Sequence, residues 1–141
     1  MLYLKKALEL ALKLVVALAF LYVVFVLGFV WWHCYKSPLK AGANGPLDAY
    51  RHTFASAVVA YTTSPKVVQL VSDVMERKNR PANLMDKHNN AIGMRIGLQV
   101  KSLDEIHTRV MEQVEKGAVD ATDVDQTSWM PPRFWGPGFL W

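Results

Sequence analysis

Residues 14–32 read LVVALAFLYVVFVLGFVWW, nineteen positions without a charged side chain. A helix needs about 20 apolar residues to cross about 30 Å of hydrocarbon, and a single segment can satisfy its own backbone there only as a helix. Trp31, Trp32 and Tyr35 gather at one end, where interfacial aromatics belong. The preceding residues 2–13 keep helical spacing with Lys6, Glu9 and Lys13 near one side, and are expected to extend the helix or lie at the membrane surface. A cleaved signal peptide would have an apolar region of about 7–15 residues and a small-residue cleavage site. This run is longer and ends in Val30, Trp31, Trp32 and His33. The sequence therefore predicts an uncleaved anchor over residues 1–36, with a transmembrane helix at about 12–33.

Outward from that stretch, the charge map separates membrane flank from domain. Lys5, Lys6, Lys13 and Lys36 surround the apolar run, opposed only by Glu9. From Ser37 onward 12 Lys/Arg face 11 Asp/Glu, so three of the four net positive charges belong to the flanks and the domain is near neutral. No basic stripe of the kind nucleic-acid-binding domains carry is visible, and no nucleic acid is expected as a partner. Three lysines before the run against Lys36 and Lys40 after it favour a cytoplasmic N-terminus. In a bacterial inner membrane the domain would then be periplasmic. Cys34 is the only cysteine and cannot form an internal disulfide. It reads as a buried or interfacial thiol.

Residues 37–46, SPLKAGANGP, lack periodicity and read as a linker. Four helical segments follow in a domain at 47–118. The first covers about 47–61, with Pro46 and Asp48 suited to its first turn and Phe54, Val58 and Tyr61 marking an apolar face. Ser64-Pro65 opens the second, whose expected core stripe is Val67, Val68, Leu70, Val71, Val74 and Met75. The third runs from Pro81 to about Gly97, with Leu84, Met85, Ile92 and Ile96 as apolar positions and Gly93 interrupting it. The fourth has a Ser102–Glu105 capping box, a stripe of Leu103, Ile106, Val110 and Val114, and Gly117 as C-cap. The tail at 119–141 holds Trp129, Phe134, Trp135, Phe139 and Trp141 among three prolines, which oppose helix. It is expected to be an extended arm packed on its own domain, the membrane interface or a partner protein. The fold class is all-α: one transmembrane helix, a bundle of about four helices and an irregular aromatic tail.

Two polar clusters occupy helix faces that should otherwise be core. Asp48, Arg51 and His52 sit at i, i+3, i+4. Asp86, Asn89, Asn90 and Gly93 sit at i, i+3, i+4, i+7, the spacing of a buried stripe. Buried polar groups are costly unless paired, so the two stripes are expected to meet. A carboxylate beside His52 can hold it as a general base, Arg51 can grip an anion, and Asn89 and Asn90 can donate to an oxyanion. Gly93 admits a second backbone or a substrate, with His88 and Glu76 near the binding region. The same residues can equally be a satisfied polar core that fixes helix docking. His52, Glu76, Asp86 and His88 could supply metal ligands, but no metal-binding spacing is present, and no metal or cofactor is expected. Nor is there a G-x-S-x-G elbow beside Thr53 and Ser56.

The segments D-A-Y-R-H at 48–52 and M-D-K-H-N-N-A-I-G at 85–93 resemble a bacterial toxin-associated domain family. Its pattern is D-A-x-R-H, a His-Glu pair, then M-D-x-x-N-N-x-x-G. The family occurs at the C-terminal ends of polymorphic and Rhs-type toxins and in small membrane-anchored proteins. The resemblance implies a hydrolase or toxin-like domain acting in the envelope, its motif carried by Asp48, Arg51, His52, Asp86, Asn89, Asn90 and Gly93. Met75-Glu76 stands where the family tends to have His-Glu, which puts activity in question. Two functions are therefore carried forward. One is a membrane-tethered hydrolase with His52 as base and an envelope substrate such as a phospholipid or peptidoglycan fragment. The other is an accessory or structural subunit of a secretion, conjugation or phage-related complex. That subunit would dock through its membrane helix and Trp129, Phe134, Trp135 and Trp141.

Overall fold

The computed structural model describes residues 1–75 and 80–136. Glu76 and Trp141 lie outside the described residues. Five helices carry the architecture: α1 (Leu2–Lys36), α2 (Pro46–Thr62), α3 (Pro65–Met75), α4 (Pro81–Gln99) and α5 (Leu103–Glu115). A two-stranded parallel pair follows, β1 (Ala118–Val119) with β2 (Ser128–Trp129), in register Ala118↔Ser128. The chain is all-α, as its sequence predicts. Proline opens α2, α3 and α4, where its missing N–H costs nothing. Ser102 Oγ accepts the Glu105 N–H at 3.3 Å, and the Glu105 carboxylate reaches back to the Lys101 N–H at 3.0 Å, closing the start of α5.

Helix α2 is the hub, packed against α1, α4 and α5. Its approach to α4 is set by two glycines one turn apart. A Cβ on Gly93 would lie 2.1 Å from the Thr53 carbonyl oxygen, and one on Gly97 would lie 2.4 Å from that of Ala57. Between α2 and the other helices the contact is aromatic. Phe29 of α1 stacks on Phe54 at 5.6 Å, and Phe54 stacks on Tyr50 at 5.4 Å. The Tyr50 hydroxyl meets His107 Nδ1 of α5 at 2.9 Å.

The structure refines two expectations and corrects a third. The anchor does not end where the domain begins. Val26, Val30 and Cys34 of α1 are buried in the domain core, so the last turns of the apolar stretch face protein on one side. Residues 37–46 connect α1 to α2 in a fixed conformation. The Lys40 carbonyl accepts the Leu47 N–H, and Ala41 and Asn44 take positive φ values of 65° and 60° to turn the chain back onto α2. The expected core stripe of α3 is also mostly on the outside: Val68 is buried, while Val67, Leu70, Val71, Val74 and Met75 are exposed.

The tail wraps its own domain as far as Gly136. Fully buried Asn89 donates to the Ser128 carbonyl at 2.8 Å and accepts the Ser128 N–H at 2.9 Å. His88 Nε2 lies 2.8 Å from the Gln126 carbonyl. Met130 and Gly136 donate to the carbonyls of Asn44 and Ala43, so tail and 37–46 segment brace each other. Replacing Asn89 by Ala strands the Ser128 N–H and carbonyl in a dry site. Each such group costs about 1–3 kcal/mol, so Asn89→Ala, which strands two of them, is expected to destabilise the chain by at least about 2 kcal/mol. It should also open the tail to limited proteolysis after Ala118, which mass spectrometry of the fragments would read. A tail as resistant as wild type would show that the clamp is dispensable.

Candidate functional site

The first turns of α2 and the start of α4 meet around His52. Asp48 forms an ion pair with Arg51 through one carboxylate oxygen and accepts the Asn44 N–H on the other at 2.6 Å. Arg51 also donates to the Gly42 carbonyl at 3.0 Å. His52 Nε2 lies 3.4 Å from a carboxylate oxygen of Asp48 and 3.4 Å from one of Asp86. These are ion-pair distances, long for a hydrogen bond. Two carboxylates, one guanidinium and one imidazolium balance in charge, so the cluster is neutral when His52 is protonated.

Burial alone would lower the His52 pKa, but the polar contact with Asp48 and the charges of Asp86 and Asp48 outweigh it. They hold the imidazole above its ordinary 6.5 despite nearby Arg51. Burial of Asp48 pulls its pKa upward, and contact with His52, the Arg51 charge and the Asn44 N–H override that and hold it below the usual 3.8. The stability contributed by charged His52 is full below pH 6.5 and is lost as pH rises through its raised value. The stability contributed by Asp48 is full above pH 3.8 and is lost as pH falls through its lowered value. The melting temperature is therefore expected to fall as pH rises from 6.5 into the alkaline range. His52→Gln should flatten that slope. An equal slope in the variant would place the titration elsewhere.

One turn further along, Asn90 joins three helices: it accepts from Ser56 Oγ at 2.9 Å and donates to Ser72 Oγ at 3.1 Å. His52, Ser56, Ser72 and Asn90 share an open cleft of about 160 Å³ with Ala55, Val59, Val68, Val71 and Met75. These four polar side chains are set among an apolar lining.

The structure thus brings Asp48, Arg51, His52, Asp86 and Asn90 into one region, and sends the other candidates elsewhere. Asn89 and His88 hold the tail, and Gly93 receives the α2 backbone instead of a ligand. Arg51 is engaged by Asp48 and Gly42, which leaves it positioning the carboxylate. The reason is helical phase: one residue along α4 turns a side chain about 100°, so Asn89 and Asn90 serve different neighbours. Asn44, Gly42 and Ser72 escaped notice in the sequence. Asn44 carried a signal, since the Asn-Gly pair at 44–45 marks a turn; Ser72 carried none. Ligand atoms of Asp48, His52 and Asp86 all lie within 4.8 Å of one another, a donor set a divalent cation could use. The Arg51 guanidinium already bound to Asp48 opposes that use.

Fold and site define a small helical domain fused to an apolar helix long enough to span a membrane. The family described as "Domain of unknown function (DUF6973)" matches residues 33–118, more than half of the chain, and the chain belongs to it. The matched region begins in the last turn of α1. No curated protein and no solved structure matches the chain.

Proposed function

We propose that the chain is a membrane-tethered envelope enzyme of the hydrolase type, anchored by α1 with its N-terminus in the cytoplasm and its domain in the periplasm. The lysine excess before the apolar run supports that orientation. The enzyme reading rests on one observation: His52 and Asn90 line a single open cleft. A sealed polar core would put neither within reach of a substrate. His52 would move the proton, held by Asp48 and Asp86, and Asn90 would contact the reacting group. Because His52 rests protonated at moderately acidic pH, it is ready to donate to a leaving group, and it becomes a base only above its raised pKa. Turnover that depends on the base should therefore rise with pH through that value.

The experiment is incubation of the intact chain, in detergent and in vesicles, with phospholipid and with peptidoglycan fragments, products being read by mass spectrometry. Product formation that His52→Ala leaves unchanged would remove the proposal. The accessory-subunit alternative keeps two anchors among the described residues, the exposed Phe134 and Trp135. Trp129 is packed against the domain core.

A further inference from the structure

The unexpected exposure of α3 has a direction. Around this helix, at about 100° per residue, Leu70, Val74, Val67, Val71 and Met75 form one continuous arc. All five are exposed, Leu70 and Met75 to 66% each. Gln69 and Asp73 fall on another edge, beside Lys87 and Met94 of α4. Val68 and Ser72 face the domain. The helix is amphipathic, and most of its apolar arc is turned away from the domain, with Val71 and Met75 on the side that borders the cleft.

Three contacts fix where α2, and with it the start of α3, lies along α1. Phe29 stacks on Phe54, Tyr22 hydroxyl meets Thr62 Oγ1 at 2.7 Å, and Arg51 sits 5.9 Å over the Trp31 ring. Helix α2 therefore runs antiparallel along the outer half of the apolar stretch. His52 falls level with the Trp31–Trp32 pair, and the α2–α3 turn falls level with Tyr22. Ten residues of α1 separate those levels, about 15 Å at 1.5 Å per residue, roughly one leaflet of hydrocarbon. At the deep end the Thr62 and Thr63 hydroxyls donate to the Val58 and Val59 carbonyls at 2.7 and 2.6 Å, while Lys66 beside them is exposed and has to carry its ammonium toward a polar surface. Val71 and Met75 of the arc also wall the cleft, opposite Ala55 and Val59. These two residues each follow a residue of α2 that is buried in the core, Phe54 and Val58.

We infer that the apolar arc of α3 is immersed in the same bilayer leaflet as the outer half of α1. The cleft then opens laterally into lipid, admitting the acyl part of a membrane phospholipid while its headgroup region meets His52 at the aromatic belt. This rests on the membrane-anchor reading of α1 and names the source of substrate for the proposed site. The occupant is the bilayer because the arc spans the levels at which α1 already presents apolar surface: Val23, Val24, Phe25 and Leu27 are exposed there. An apolar expanse of that size is not left in water.

The test uses the full chain in phosphatidylcholine–phosphatidylglycerol vesicles, with an environment-sensitive fluorophore on single cysteines at Leu70→Cys, Val74→Cys, Gln69→Cys, Asp73→Cys and Val16→Cys. Native Cys34 is buried and does not compete for label. Labels at 70 and 74 should be quenched by nitroxide-bearing lipid several-fold more than labels at 69 and 73, and the order should reverse with aqueous iodide. If Val16 reads lipid while 70 and 74 quench like 73, the immersion of α3 is overturned and the anchor stands. If Val16 also reads water, the anchor and the inference fall together.

Discussion

Gly93→Ala is expected to destabilise the chain by about 3 kcal/mol, well beyond an ordinary surface change. The added methyl would stand 2.1 Å from the Thr53 carbonyl oxygen and 2.9 Å from Ser56 Cβ. The first obstacle is backbone, which cannot swing aside as a side chain can, so α2 and α4 must part. Alanine favours helix over glycine by about 1 kcal/mol, and that gain is too small to offset the overlap. Separation also acts on the site, because His52 is on α2 and Asp86 is on α4. Denaturant titration of the solubilised chain measures the loss. Gly28→Ala is the control: its new methyl meets nothing within 4 Å, so stability should hold or rise. Equal stability for Gly93→Ala and wild type would mean that the two helices do not pack as closely as described.

His52→Ala carries the largest expected effect on activity, a loss of about 10²–10⁴-fold in turnover, the usual contribution of a positioned acid or base. The variant keeps the Asp48 contacts to Arg51 and the Asn44 N–H, so the fold should survive. Circular dichroism and the melting curve establish that survival separately. The variant leaves two carboxylates less well neutralised, and a modest loss of stability below pH 6.5 is expected alongside the lost turnover. Asp86→Asn is the companion: it removes one charge from His52 without removing the imidazole. The pH at which activity changes should move downward, where a purely structural role would lower activity at every pH alike.

The two motif segments illustrate how far helical spacing reads a site. Asp48, Arg51 and His52 at i, i+3, i+4 are neighbours in any helix, and their mutual contacts follow from the sequence. The meeting of His52 with Asp86 was expected because both stripes were too polar for an unpaired core. The division of labour within 86–90 was not legible. Whether Asn89 serves a substrate or a backbone depends on where Ser128 comes to rest, 39 residues away. The tail's aromatic and proline content gave no periodicity from which to place it.

The long apolar helix, the helix starts at proline and serine, and the α5 stripe were decided by local composition and period. Those forces act within a turn or two and need no knowledge of the rest of the chain. Tertiary structure alone decided that α1 ends inside the domain core, that α3 turns most of its apolar stripe outward, and that Gly93 and Gly97 admit the α2 backbone. Hydrophobic period states that a face must be covered, but it carries no address for what covers it. On α5 the cover is protein; on α3 the domain had no surface left to give.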